Sequence, residues 1–226
     1  MSAPLLVVGR GRMGRLVEML APEHGFEVAG AIDRDNAARP EMWPSAEVAI
    51  DFSVADAVPQ NLPRLAARGI NVVVGTTGWQ AAEPQLRAQL ERGTIGIVAA
   101  PNFAIGVNLF VALAERAAEL WRDHPAFGAW LHELHHAGKR DAPSGTALAL
   151  ETAMRGRGYA HRIDISSTRA GSIPGTHTIG FDAPAETVTL THTARDRTIF
   201  ARGALQAAQW LRGKRGWFTM RDVLGI

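Results

Sequence analysis

The run HELHHAGKRDAPSGTA, residues 132–147, crowds histidines, carboxylates, a lysine and a Ser-Gly-Thr turn into one short stretch. Two chemistries compete for it. Its first five residues satisfy H-E-x-x-H, with His132 and His136 standing where a zinc enzyme places two ligands and Glu133 where it places a general base. That chemistry needs a helix, so that residues four apart share a face and both imidazoles reach one ion. Only about two and a half turns fit between Gly128 and Gly138, and Pro143 follows soon after. Read as a strand, the segment puts Trp130, His132, Leu134 and His136 on one face and Leu131, Glu133 and His135 on the other. His161, His177 and His192 lie downstream, but none at a spacing diagnostic of a third ligand, so no metal is expected.

The second chemistry begins at Lys139. Pro143 precedes Ser144, Gly145 and Thr146, after which helix formers take over, so this loop should deliver the chain to a helix N-terminus lined with small donors. Such an end attracts anions, and with Lys139 at its mouth a carboxylate is the natural guest. An ordinary Ser or Thr N-cap would read the same way. Of the 24 basic residues, 22 are Arg and only Lys139 and Lys214 are Lys. A lysine, unlike an arginine, offers a compact ammonium whose three protons can serve several acceptors from one point.

Chemistry at residues 132–147 needs elements to position it, and the first hundred residues supply a partner site. PLLVVGRGRMGRLVEML gives a short apolar run, then Gly9, Gly11 and Gly14 in G-x-G-x-x-G spacing, then the period of an amphipathic helix. Gly9 permits the turn, Gly11 leaves room for a pyrophosphate and Gly14 lets the helix pack on the strand. A second apolar run, FEVAGAID, ends at Asp33, about 20 residues on, where a carboxylate can accept from ribose hydroxyls. Asp33 repels a 2′-phosphate whereas Arg34 attracts one. The expectation is therefore NADH with tolerance of NADPH.

Strand and helix then alternate. AEVAIDFS, INVVVGTTG and TIGIVAAPNF read as strands, Pro59 to Arg68 and WQAAEPQLRAQLERG as helices, the latter closed by Gly93. This order implies a parallel sheet with helices on both faces, whose ligands sit beyond the carboxyl ends of the strands. Thr76, Thr77 and Asn102 are therefore placed near the nicotinamide half, and GTTG reads as a turn in which Thr77 could also cap the next helix. IGVNLFVALAERAAELW follows as one long helix, ended by Pro125 and Gly128. HRIDISSTR, THTIGFDA and ETVTLTHTA read as strands of a second, largely open sheet that needs a cover, so an oligomer face is expected. A last helix from about Ala201 to Arg212 should pack back on the first domain.

Composition narrows the classes further. Cysteine is absent, which excludes disulfides, thiolate nucleophiles and cysteine-ligated metals. A net charge of +2, with basic residues scattered rather than clustered, gives nucleic-acid binding little support. The apolar runs are too short to span a bilayer and the N-terminus lacks a signal-peptide pattern, so a cytoplasmic location is expected.

Glu133-Leu134-His135-His136-x-x-Lys139-x-Asp141-Ala142-Pro143-Ser144-Gly145-Thr146-Ala147 resembles the signature of the dihydrodipicolinate reductase family. VGRGRMGR at the start, GTTGW at 75–79, APNFAIGVN at 100–108, GTH at 175–177, FARGALQAAQWL at 200–211 and MRDVLGI at the end extend the resemblance over nearly the whole chain. It implies an α/β fold: a Rossmann domain over 1–104 completed by 197–226, and an α+β domain with an open mixed sheet over 105–196. It also implies NADH- or NADPH-dependent reduction of 4-hydroxy-tetrahydrodipicolinate, a small dicarboxylate, on the diaminopimelate route to lysine, by a homotetramer. Carried over by residue, His135 is the proton donor, His136 and Lys139 hold substrate, and Ser144, Gly145 and Thr146 bind a substrate carboxylate. Gly9, Arg12, Met13, Asp33, Gly75, Thr77, Ala100, Pro101, Asn102 and Phe103 hold the cofactor. The stretch between Asp33 and Asp51, with Pro40, Trp43 and Pro44, is shorter than in many relatives, and this bears on the adenosine edge. A zinc hydrolase and a catalytically idle dinucleotide-binding regulator are the competing classes; an idle protein has no need of both His135 and Lys139.

Overall fold

The computed structural model describes residues 2–90 and 93–226. The chain divides into two compact units, one formed by Met1–Ile105 with Arg197–Ile226 and the other by Gly106–Asp196.

In the first unit, strands β1 (Ala3–Val8), β2 (Phe26–Ile32), β3 (Val48–Asp51), β4 (Asn71–Val74), β5 (Gly96–Ala99) and β10 (Gly216–Phe218) form one sheet. Its order is β10-β5-β4-β3-β1-β2 and every pairing is parallel. Helices α1 (Arg12–Leu20), α2 (Val58–Ala67), α3 (Glu83–Leu90), α6 (Thr198–Leu211) and α7 (Met220–Leu224) accompany it. Because both faces are covered, β1 reads as an almost unbroken apolar run. Leu5 and Val7 enter a core with Val17 of α1 and Leu205 of α6, whereas Leu6 and Val8 enter another with Leu62 of α2 and Trp79. Each such side chain contributes about 1.5–3 kcal/mol on leaving water. Among the described residues, no helix is long and apolar enough to cross a membrane.

The order of strand addition reverses at β1: β2 is laid on one side of it and β3, β4 and β5 outward on the other. Crevices that take ligands open at such a point. The short excursion before β3 is stapled down. Trp43 is buried, its Nε1 donates to the Asn36 carbonyl at 3.1 Å, and Arg68 Nη2 donates to the Trp43 carbonyl at 2.7 Å.

In the second unit, β6 (Gly128–His135), β7 (Ile163–Arg169), β8 (Thr176–Ala183) and β9 (Glu186–Thr193) form a mixed sheet in the order β7-β6-β8-β9, with only β6 and β7 parallel. Helices α4 (Ile105–Trp121) and α5 (Gly145–Gly156) belong to its core, where Phe110, Ala114 and Leu150 meet Leu131, Ile179 and Phe181 of the sheet. The other face carries Trp130, His132 and Leu134 beside a threonine ladder, with Thr176 opposite Thr193 and Thr178 opposite Thr191, hydroxyls 3.1 and 3.0 Å apart. Trp130 lies across Gly180, where a Cβ would fall 2.1 Å from the indole.

Several element boundaries differ from expectation. Residues 132–135 are strand, as the second of their two readings had it, with His136 just outside, because residues 129–134 pair on both edges with β7 and β8. Thr77 caps nothing: the following helix opens as a 3-10 turn at Gln80–Ala82 with Trp79 before it. The helix expected to close at Gly93 is described to Leu90, and Glu91 and Arg92 lie outside the described residues. The last helix begins at Thr198, a turn earlier than its apolar pattern suggested.

Candidate active site

In the first unit the glycine turn joins β1 to α1, and each glycine has a separate steric reason. Gly9 has φ +90°, and a Cβ there would lie 2.6 Å from the Phe52 carbonyl oxygen. A Cβ on Gly14 would fall 1.9 Å from the Gly9 oxygen. Gly11, the N-cap of α1, has nothing within 4 Å of that position and caps the helix with no side chain. Room is thus left beside the start of α1, whose first N–H groups have no partner within the helix, as an incoming phosphate requires.

A cleft of about 560 Å³ runs from this turn past Gly9, Gly11, Asp33, Arg34, Phe52 and Ser53 to Asn61. Asp33 sits at the end of β2 and its Oδ1 accepts from the Asp35 amide at 2.9 Å. A neighbouring cleft of about 290 Å³ is lined by Gly11, Arg12, Met13, Phe52, Ser53, Val54, Ala55, Gly75, Thr76, Thr77 and Arg197. Gly75 is dictated by Phe52, since a Cβ would be 2.2 Å from that ring. Ala100, Pro101, Asn102 and Phe103 follow β5 and line neither cleft. Phe103 is buried edge-on against Phe52, with ring centroids 6.4 Å apart, and Asn102 Oδ1 accepts from the Ala104 amide at 2.8 Å.

Sequence reasoning passed over Asp51. It is 1% exposed and accepts from the Ser53 amide at 2.8 Å, the Ser53 hydroxyl at 2.6 Å and the Thr76 hydroxyl at 2.8 Å. Burial pushes its carboxyl above the usual range, opposed by those three bonds. The group ties together the ends of β3 and β4 on which both clefts depend. A polar residue closing the apolar run VAID was the available signal.

In the second unit, β6 delivers Leu131, Glu133 and His135 to the buried face, while His132 faces the other way with its Nε2 3.1 Å from the Thr168 hydroxyl. His132 and Glu133 therefore diverge, and His136 lies just past the strand end. The three residues of the zinc pattern do not converge. A different set does: ligand-type atoms of Glu133, His135 and His177 lie within 4.8 Å of one another. The Glu133 oxygens, His135 Nδ1 and His177 Nε2 have hydrogen-bond partners, whereas the buried His177 Nδ1 has none. Glu133 Oε2 accepts from His135 Nδ1, while its Oε1 takes Arg169 Nη2 at 2.6 Å and the Ser144 amide at 3.3 Å.

Burial by itself would raise the Glu133 carboxyl, but Arg169, Ser167 and His135 hold it at about 2, so it is ionised at neutral pH. Burial lowers His135, Glu133 opposes this, and the positive charges of Lys139 and Arg169 add to the lowering. Burial and the neighbouring His135 take His177 down to about 4.

The turn at Ser144 opens α5 as its sequence suggested, and Ser144 Oγ accepts from the Ala147 amide at 3.2 Å. Its hydroxyl lies 3.0 Å from His177 Nε2. Both the amide and the hydroxyl of the buried Ser144 are thus engaged within the protein, while Gly145 is exposed with open space around it. Lys139 Nζ reaches Asp141 at 2.8 Å. Asp141 is held below its usual range first by Lys139, with the Gly145 amide contributing. An internal carboxylate therefore already marks the spot between Lys139 and the start of α5 as an anion position.

Two family descriptions cover the chain: dihydrodipicolinate reductase, N-terminus, matches residues 3–103, and dihydrodipicolinate reductase, C-terminus, matches 106–224. A 4-hydroxy-tetrahydrodipicolinate reductase of Acidiphilium cryptum is 40% identical over 96% of this chain and 94% of its own. Its counterpart from Christiangramia forsetii is 33% identical over 97% of both. A solved dihydrodipicolinate reductase from Paenisporosarcina sp. TG-14, described as dipicolinate bound, superposes with a TM-score of 0.82 at 22% identity, covering 97% of this chain and 98% of that one. With both halves matched and the relatives aligned nearly end to end, the chain belongs to the dihydrodipicolinate reductase family.

Proposed function

We propose that this chain reduces 4-hydroxy-tetrahydrodipicolinate to tetrahydrodipicolinate with a nicotinamide cofactor, on the diaminopimelate route to lysine. The observation that carries the reading is the end of β6: one strand places a buried imidazole, an ammonium and a helix N-terminus within a single short stretch. The family named above performs this reduction in its named members, and a catalytically idle protein would have no use for both His135 and Lys139.

The residues of the first unit fit a nicotinamide dinucleotide. Gly11 leaves the approach to the α1 amides open, and Gly9 and Gly14 allow the close packing that makes the turn. Arg12, Met13, Gly75, Thr76 and Thr77 line the smaller cleft, and Asp33 with Arg34 the larger. Asp33 accepts the ribose hydroxyls and Arg34 can meet a 2′-phosphate, so NADH is preferred and NADPH tolerated. Ala100 to Phe103 act from behind, with Phe103 supporting Phe52. When bound, the cofactor supplies the hydride.

His135 supplies the balancing proton from Nε2, since Nδ1 is committed to Glu133. In the free protein its lowered pKa leaves it mostly neutral; a dicarboxylate substrate brings negative charge beside it and favours the imidazolium that must donate. Lys139 leaves Asp141 to pair with a substrate carboxylate, or shares both. His136 and the amides of Gly145 and Thr146 take the rest, with Ser144 holding the turn in shape. Fixing both carboxylates orients the ring for transfer.

The open face of the second sheet, with Trp130, His132, Leu134 and the threonine ladder, is the surface through which a homotetramer assembles. A cytoplasmic location and independence from metal accompany this reading. The test generates the substrate in the assay from pyruvate and aspartate semialdehyde and follows NADH and NADPH oxidation with a chelator present. Oxidation of both, NADH faster, is the expected result. Oxidation of neither would sink the proposal, and activity abolished by chelation would restore the metal reading.

A further inference from the structure

Glu133 is an expensive residue to keep. It is fully buried near the C-terminal end of β6, where an ionised carboxylate survives only if its oxygens are paired. Its hydrogen bonds come from outside its own strand or from His135. Arg169 stands opposite His135 in the parallel register of β6 and β7, which aims its guanidinium at Glu133 Oε1 at 2.6 Å. The same Arg169 Nη2 also reaches the Asp141 carbonyl at 2.5 Å, fastening the loop that carries Lys139. From α5, the Ser144 amide completes Oε1 at 3.3 Å. Strand, neighbouring strand and helix cap thus all converge on one carboxylate whose remaining oxygen is given to His135.

The geometry points to Glu133 as a positioning residue that, braced by Arg169, fixes His135 in the Nδ1–H tautomer with Nε2 turned to the substrate. This rests on His135 as the proton donor. An imidazole whose Nδ1–H is held by a carboxylate can exchange protons only through Nε2. That edge of the ring has been kept clear: Gly175, at φ +145°, would put a Cβ 3.2 Å from Nε2 if it carried one. The charged and titratable groups around the ring are Glu133 on β6, Arg169 on β7, Lys139 on the following loop and His177 on β8. Of these only Glu133 is negative, so before substrate arrives it alone favours the imidazolium. Without it, the ring would face three potential cations, and nothing would choose its tautomer.

The test uses Glu133→Gln, which keeps the shape of the side chain and an acceptor for Arg169, and reads both kinetics and the imidazole. We expect kcat to fall by about 30- to 1000-fold, with KM for substrate and cofactor within about threefold of wild type and an unchanged melting temperature within a few degrees. The ¹⁵N shifts of His135 should report Nδ1–H in the wild type and lose that signature in the variant. A kcat within threefold of wild type would overturn the proposal, as would a loss shared between kcat and KM. If the variant does not fold, the wild-type shifts decide alone: an Nε2–H tautomer refutes the positioning role. That readout needs no turnover, so failure of the substrate assignment and failure of this inference are separately visible.

Discussion

Two helix N-termini in this chain are built to face an anion, and they are built in opposite ways. At α1 the turn is nearly all backbone: Gly11 caps it with no side chain, and room is left beside the start of the helix. At α5 the turn is furnished: Ser144 caps the helix, His177 touches Ser144, and Lys139 with Asp141 stands at the mouth. The first site can bind only what shape and dipole attract. The second holds a buried imidazole, His135, and a resident carboxylate, Asp141, the kinds of group that discrimination and reaction require. Binding a cofactor demands clearance; conducting a reaction demands held side chains.

The largest predicted effect separates these roles. His135→Gln should reduce kcat by two to four orders of magnitude with cofactor affinity kept, measured by steady-state kinetics and cofactor titration. Turnover close to wild type would remove His135 from its role. Next, the glycines of α1 should divide by steric reason. Gly14→Ala places a Cβ 1.9 Å from a carbonyl oxygen and should cost several kcal/mol of stability or prevent folding, seen in denaturant melts. Gly11→Ala meets nothing in the protein and should leave stability within about 1 kcal/mol while raising the cofactor KM roughly tenfold. Equal effects of the two would erase the distinction between packing and clearance.

Lys139→Met should raise the substrate KM by about ten- to a hundredfold and lower kcat as well; an unchanged KM argues against carboxylate contact. A fourth expectation concerns acid. His177 at about 4 resists a proton that the unfolded chain accepts near 6.5, so its contribution is intact above that pH and fades as pH falls through about 4. The whole effect is of order 3 kcal/mol, and denaturant midpoints at pH 7 and pH 4.5 should show it shrink in His177→Gln. The smallest effect belongs to the adenosine edge: Asp33→Ala should shift the NADH to NADPH preference severalfold toward NADPH, and an unmoved ratio would count against the ribose assignment.

The contrast also explains what could be read in advance. The glycine turn is local, so its three glycines, its flanking strand and helix and Asp33 are all visible in sequence. The parallel sheet follows from the repeated alternation of apolar runs and amphipathic stretches. The second site depends on residues far apart in the chain. Glu133 meets Arg169 through strand register and Ser144 meets His177 across the fold, and no spacing rule announces either. H-E-x-x-H is ambiguous in sequence for the same reason: a five-residue pattern cannot say whether it lies on a helix, and here pairing to strands on both sides made its first four residues part of β6. β10, three residues long, lies beneath what periodicity can resolve.

The central claim is that a nicotinamide delivers hydride while this chain's own residues hold the dicarboxylate and supply the proton. Its most direct test is isotopic: react the generated substrate with cofactor deuterated on the transferring face, then locate the label in tetrahydrodipicolinate by mass spectrometry and NMR. The account predicts one cofactor-derived deuterium per product, bound to a single ring carbon, in the wild type and, more slowly, in His135→Gln. Product formed without cofactor-derived deuterium would contradict it.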